Sequence, residues 1–207
     1  MASLSESAGP RTVPQPKPSR DLPGATYPQS TPPARRGYRQ LALHPLVLAA
    51  SATLVFADLF RFGLGARGVT GLILLPVLVV LSAIDIRDRL LPDRIVLPAT
   101  ALVLATQIAL ASDHGVEAAV AAIAAAAAFH VLRAVYPQGL GMGDVKLALL
   151  LGAALGKSVL FGFFVGSVAV AAAGLIVIAR EGAEGRKTTL PFGPFLAAGA
   201  AVAFFLA

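Results

Sequence analysis

Seven long apolar segments account for most of the chain, and they constrain its fold more than any other feature. A helix that spans a membrane needs about 20 apolar residues, and only the fifth segment is clearly shorter. The chain is 57% hydrophobic and 14% charged, whereas soluble domains are about 25% charged. We therefore predict an all-α fold, a polytopic transmembrane bundle. Its segments are residues 43–60, 69–84, 95–111, 116–136, 145–156, 158–179 and 192–207.

The first 40 residues have a different composition, with eight of the fifteen prolines. Such a stretch buries too little apolar surface to offset the entropy lost on ordering. We predict that residues 1–40 form a disordered, Pro/Arg-rich cytoplasmic tail. The pair Arg35-Arg36 also fits an export signal, but we favour basic residues that hold the tail inside.

The basic residues indicate the orientation of the bundle. With the tail inside, fourteen of the seventeen Lys and Arg residues lie on the cytoplasmic side, as the positive-inside rule requires. We predict a multi-pass protein of the inner or plasma membrane with a cytoplasmic N-terminus. The net charge of +6 is explained by this flanking pattern, so we predict the lipid bilayer and no nucleic acid as a partner.

Two aspartates lie at the cytoplasmic ends of apolar segments, where a carboxylate is costly and usually functional. Asp85 follows the second segment, and Asp144 opens the fifth. Because the fifth segment has 12 residues, about 18 Å of helix, against a hydrocarbon layer of about 30 Å, a spanning helix draws Asp144 into the membrane. A re-entrant helix is the alternative.

Paired carboxylates of this kind are typical of aspartic proteases, in which one activates water and the other polarises the carbonyl. Asp144 begins a helix, where the dipole favours charge, so we assign it as the base and Asp85 as the acid. A small ion-coupled transporter is the alternative, but it would hold its acids near the midplane.

Three motifs resemble those of the type IV prepilin peptidase family. The stretch DIRDRLLPD at residues 85–93 resembles the first motif, in which proline, here Pro92, follows the aspartate by seven residues. GMGDVKL at residues 141–147 resembles the second, GxGDxKL, and PFGP at residues 191–194 resembles a later stretch. The resemblance implies catalysis by the two aspartates. It implies supporting or substrate-binding roles for Gly141, Gly143, Lys146, Pro92 and Asp93.

The resemblance also implies the organisation and the reaction. Residues 69–207 correspond to a six-helix peptidase core, and residues 41–68 to an extra N-terminal span and loop. The substrate is a prepilin or pseudopilin, Tad/Flp-type included, with a short basic leader and an apolar helix. Family members that also methylate carry paired cysteines, and this chain has none, so we predict cleavage without N-methylation, metal or cofactor.

Simpler interpretations remain for several of these residues. Asp144 could serve only as a helix N-cap, Asp85 could be an interfacial charge, and Asp88 or Asp93 could be the true partner carboxyl. Lys146 is either a cytoplasmic anchor or a group that tunes Asp144. We place Asp58, Glu117 and an Asp113-His114 loop near the outer face. We expect His130 to be packed, and the alanine-rich run 118–128 to allow close helix packing.

Overall fold

The computed structural model describes residues 40–137, 139–182 and 190–206. These ranges contain seven helices of at least 14 residues and no strand. The prediction of an all-α bundle with seven segments is confirmed. The predicted tail lies outside the described residues apart from Gln40. The helices are α1 (Pro45–Phe62), α2 (Ala66–Asp88), α3 (Asp93–Leu110), α4 (Ser112–Val135), α5 (Met142–Leu155), α6 (Val159–Glu181) and α7 (Gly193–Leu206), with a 3-10 turn at Gly156–Ser158 before α6.

Half of the fourteen helix ends extend beyond the apolar runs that predicted them. The loop expected at Asp113 and His114 is wrong, because α4 begins at Ser112 and only Ala111 separates it from α3. Helix α5 begins three residues earlier than expected, and α2 continues through Asp88. Polar residues are well suited to the ends of helices, where backbone groups lack intrahelical partners. A pattern based on hydropathy stops short of them.

The outer surface of the bundle is apolar, as a lipid-facing surface must be. Five helical stretches are long and apolar enough to cross a membrane, and one of them joins α5, the turn and α6 as Met142–Glu181. Large side chains point outward along these stretches; Phe60 is 87% exposed and Phe164 is 66% exposed. The chain is a multi-pass membrane protein.

Helix α5 forms the centre of the bundle and contacts α3, α4 and α7. Its Leu147, Leu150 and Leu151 are almost completely buried. Close packing with α4 depends on small residues, because a Cβ at Gly152 would lie 2.6 Å from Ala122 Cα. The alanine-rich run therefore uses one face for packing inside the bundle.

The two ends of α5 lie at opposite ends of the bundle. Near its start, Asp144 is close enough to Asp85 of α2 for the two carboxyl groups to interact electrostatically. At its other end, Leu155 lines the same cavity as Ala66, the first residue of α2. This course favours a helix that crosses the bundle over a re-entrant one.

Candidate functional site

Asp85 lies in the last turn of α2 and is only 7% exposed. Its Oδ2 accepts a hydrogen bond from the backbone N–H of Gly193, at 3.0 Å. Gly193 is the first residue of α7, so the amino end of one helix contacts a carboxyl at the end of another. The PFGP stretch at residues 191–194 thus contributes a direct partner for Asp85.

The residue at position 193 has to be glycine for this contact to form as it does. A Cβ there would lie 2.7 Å from Asp85 Oδ2 and 3.1 Å from its Cγ. Any larger residue must displace the carboxylate or the start of α7. From the sequence we identified the PFGP stretch but did not predict Gly193 as a site residue. The motif was the signal that could have found it.

Asp144 is half-buried in the first turn of α5, and Gly141 is the N-cap residue of that helix. The interpretation of Asp144 as the N-cap is therefore wrong by three positions. Its Oδ2 instead reaches back to accept the N–H of Gly141, at 2.9 Å. This is the side-chain half of a capping box, in which the third helical residue binds the N-cap amide.

Asp85 and Asp144 thus share one arrangement at the same end of the bundle. In each carboxyl group, Oδ2 is bound by a glycine N–H at the start of a helix, and the two groups interact electrostatically. The helix-dipole argument for acid and base loses its basis, since each carboxyl group accepts a hydrogen bond from the amino end of a helix. The assignment of Asp144 as base stays a prediction.

Gly143 allows the start of α5 to approach the loop between α2 and α3. A Cβ at Gly143 would lie 2.8 Å from Leu91 Cβ, whereas one at Gly141 would make only an ordinary contact of 3.4 Å with Asp144. Of the two motif glycines, Gly143 therefore contributes space. Gly141 contributes its amide hydrogen.

Lys146 has a different partner from the one we considered. Its Nζ lies 2.6 Å from Oδ2 of Asp93, in the first turn of α3. Pro92 is the N-cap residue of that helix, and its carbonyl accepts from the N–H of Ile95 and Val96. Asp93 and Lys146 thus connect the start of α3 to the start of α5, and Pro92 forms the N-cap beside them.

Arg89 is a residue that sequence reasoning missed as part of the site. It follows Asp85 by one helical turn, interacts electrostatically with its carboxyl group, and donates its backbone N–H to the Asp85 carbonyl at 2.9 Å. The φ angle of Arg89 is 51°, in the left-handed region that commonly terminates a helix. The i,i+4 spacing of opposite charges was available in the sequence.

The other acidic candidates have contacts different from those of Asp85 and Asp144. Oδ1 of Asp88 lies 3.8 Å from Nε of its neighbour Arg87. Near the start of α4, at the end of the bundle away from Asp85, Glu117 accepts a hydrogen bond from the backbone N–H of Lys157. Asp58 is fully buried against Gly71, and neither of its oxygens has a hydrogen-bond partner among the described residues.

The expectation that His130 is packed is wrong, because it is exposed on the surface of α4. Within the described ranges, no group of three or more His, Cys, Asp or Glu residues could hold a metal ion. What the site offers is therefore a pair of carboxyl groups, each fixed by a backbone amide, suited to moving protons to and from a water molecule and a peptide bond.

Comparison with known proteins gives matches to one group. A family described as the type IV leader peptidase family matches residues 72–177. The chain is similar to a prepilin leader peptidase/N-methyltransferase of Xanthomonas campestris pv. campestris, with 34% identity over 78% of this chain and 58% of the relative. Proteins of the same name from Burkholderia pseudomallei and Bacillus subtilis are 35% and 27% identical over 79% and 81% of this chain.

The coverage of these relatives is partial. The chain spans 58%, 55% and 68% of the Xanthomonas, Burkholderia and Bacillus proteins, respectively. No solved structure matches the chain. The matched range includes both Asp85 and Asp144.

Proposed function

Because this chain belongs to the type IV leader peptidase family, we propose that it is a membrane-embedded aspartic endopeptidase that uses Asp85 and Asp144. One observation carries the proposal. The two carboxyl groups lie together at one end of the bundle, and each has one oxygen bound by a glycine N–H. That restraint leaves Oδ1 of each aspartate for water and substrate.

The reaction follows from two carboxyl groups that share a proton. The ionised carboxylate takes a proton from water as the oxygen attacks the scissile carbonyl carbon. The protonated carboxyl donates its proton to the carbonyl oxygen. The tetrahedral intermediate then collapses, the C–N bond breaks, and a proton passes to the leaving amine. The glycine amides hold both carboxyl groups in place through these steps.

The substrate we propose is a prepilin or pseudopilin with a short basic leader followed by an apolar helix. The similarity to prepilin leader peptidase/N-methyltransferases supports this class. An apolar groove of about 350 Å³ lies between α1, α2 and α7. Ser82, Ile86 and Pro194, close in sequence to Asp85 and Gly193, line it at the site, and Leu75 and Ala201 line it further along α2 and α7.

This groove suits the apolar helix of the substrate better than the alanine-rich run at residues 118–128 does. One face of that run is buried against α5 through Ala118, Ala122 and Ala125. The groove is lined by Ile86, the residue after Asp85 in the sequence, so a helix lying in it would bring the bond at its own start near the carboxyl groups. The leader would remain outside the membrane.

We propose that the site faces the cytoplasm. The positive-inside count supports this orientation, and Arg87, Arg89 and Arg94 all lie near the Asp85 end of α2 and the adjoining start of α3. A prepilin whose cleavage junction is moved four residues deeper into its apolar helix should then be cut much more slowly. Equal cleavage rates for the two junctions would contradict a site at the membrane boundary.

We further propose that the 207-residue chain cleaves without N-methylation. In the family resemblance described above, methylation accompanies a cysteine-containing domain, and this sequence contains no cysteine. The test supplies purified protein, prepilin and a labelled methyl donor. Label on the new N-terminus would overturn the proposal.

The central experiment compares Asp85→Asn and Asp144→Asn with Asp88→Asn in membranes that contain a prepilin. Each asparagine keeps an oxygen that can accept the glycine N–H but cannot share a proton as a carboxyl group does. We expect both site variants to accumulate normally and to lose cleavage on a gel. Asp88→Asn should retain most activity. Substantial cleavage by either site variant would refute the paired-carboxyl assignment.

A further inference from the structure

A cavity of about 390 Å³ lies at the end of the bundle away from Asp85 and Asp144. Its lining includes Ala66, the first residue of α2. Asp85 is nineteen residues further along the same helix, which corresponds to about 29 Å at 1.5 Å per residue. The hydrocarbon layer of a bilayer is about 30 Å thick, so the cavity lies at the opposite membrane boundary. Lipid headgroups occupy that level.

Polar groups from several helices line this cavity. They are Arg67 and Thr70 of α2, Gln107 of α3, His114 and Glu117 of α4, and Lys157 of the 3-10 turn. The volume is in the range of small-ligand sites, about 300–1,000 Å³. The cleavage chemistry proposed above uses none of these residues.

Two cationic side chains at the cavity make no ion pair within the described part of the chain. Arg67 stacks on aromatic rings instead, with its guanidinium carbon 4.9 Å from the centroid of Phe62 and 5.9 Å from that of Phe204. This stacking holds the guanidinium in position and leaves its N–H edges available. At this end of the bundle the described Lys and Arg residues are Arg61, Arg67 and Lys157, and two of the three line the cavity.

The acidic residue of the cavity is already engaged. Glu117 Oε1 accepts a hydrogen bond from the backbone N–H of Lys157 at 3.2 Å, so the carboxylate of Glu117 points toward the 3-10 turn. Helix α2 also begins here without a side-chain cap or an acidic residue in its first turn. Its free N–H groups add to the positive potential that the two side chains create.

We propose that this cavity binds the phosphate group of an anionic membrane lipid. A phosphate offers several acceptor oxygens to a guanidinium and an ammonium group. Apolar side chains next to cavity residues give the acyl chains a surface, since Val116 beside Glu117 and Leu160 near Ser158 are 74% and 72% exposed.

The test measures lipid binding by the full chain and needs no cleavage, so it is independent of the proposed peptidase function. Purified protein is titrated with phosphatidylglycerol, and bound lipid is counted by native mass spectrometry. Lys157→Gln and Arg67→Gln should each weaken binding about tenfold, the effect of losing one charge-assisted contact. Arg61→Gln is the matched control, because it removes the same charge at the same end but outside the cavity lining, and its binding should change less than twofold.

Two results would overturn the proposal. Equal weakening in the Arg61 control, or no weakening in the cavity variants, would assign binding to general surface charge. Displacement of the lipid by an equal concentration of inorganic phosphate would assign the site to free phosphate. Among the described residues, Lys157 has no ring contact of the kind that Arg67 makes, so Lys157→Gln keeps the test available if Arg67→Gln reduces the yield.

Discussion

Replacement of Gly193 by alanine is the sharpest test of how the site is held together. The added Cβ would lie 2.7 Å from Asp85 Oδ2, whereas ordinary contacts begin at about 3.4 Å. The carboxylate or the start of α7 must therefore move by roughly 0.7 Å in a closely packed interior. The hydrogen bond from the Gly193 N–H, now 3.0 Å long, would be stretched or lost.

The expected loss of activity follows from this contact. A hydrogen bond to a charged group contributes about 1.5–3 kcal/mol, and each 1.36 kcal/mol of transition-state stabilisation is about tenfold in rate. Gly193→Ala should therefore slow cleavage about 10- to 150-fold. A misplacement of about 1 Å in a catalytic group has an effect of similar size. Alanine is a better helix former than glycine, which opposes any loss of stability from the displacement.

The assay is single-turnover cleavage of a prepilin by protein reconstituted in liposomes, with thermal stability measured in parallel. Gly174→Ala is the matched control, because the nearest atom to its added Cβ is 3.9 Å away. Gly141→Ala keeps the amide that binds Asp144 and adds a contact of only 3.4 Å, so we expect less than a fivefold change. Wild-type cleavage by Gly193→Ala would show that the amide does not restrain Asp85 during the reaction.

Three further substitutions test the surroundings of the site. Gly143→Ala should slow cleavage at least tenfold, because its Cβ would lie 2.8 Å from Leu91 Cβ, and adding Leu91→Gly, which removes that atom, should restore much of the rate. Lys146→Met removes a partly exposed ion pair worth about 0.2–1 kcal/mol; cleavage should fall less than about fivefold, and complete loss would indicate direct action on Asp144. Gly71→Ala should lower the thermal stability because its Cβ overlaps the buried Asp58, and Asp58→Ala should rescue that loss.

The helices could be predicted because, in a bilayer, whether a segment forms a helix depends mainly on that segment's own sequence. Every backbone group of a spanning segment must be satisfied within the segment, so an apolar run of sufficient length is enough to predict a helix. Their ends were less predictable, as at Ser112 and Met142. There the first turn is polar, and hydropathy gives no guide.

The partners of the two aspartates were harder to predict than the aspartates themselves. Asp144 and Gly141 are three residues apart in one motif, so the contact is local. Asp85 and Gly193 are 108 residues apart, and their contact depends on which helices pack together. In this chain alanine occurs in all seven helices and glycine in five of them, so small-residue patterns do not single out α7 as the neighbour of α2.

The hydrogen bonds of the two carboxyl groups satisfy the starts of two helices and also hold the carboxyl groups in place. The first N–H groups of a helix have no intrahelical partner, and an unsatisfied one is costly where little water is available. Asp85 and Asp144 accept such groups from Gly193 and Gly141. Each aspartate thus completes a helix end while that helix fixes the aspartate. Asparagine at either position keeps an oxygen that accepts the glycine N–H but cannot share a proton as a carboxyl group does. Alanine would remove both the hydrogen bond and the proton-sharing group.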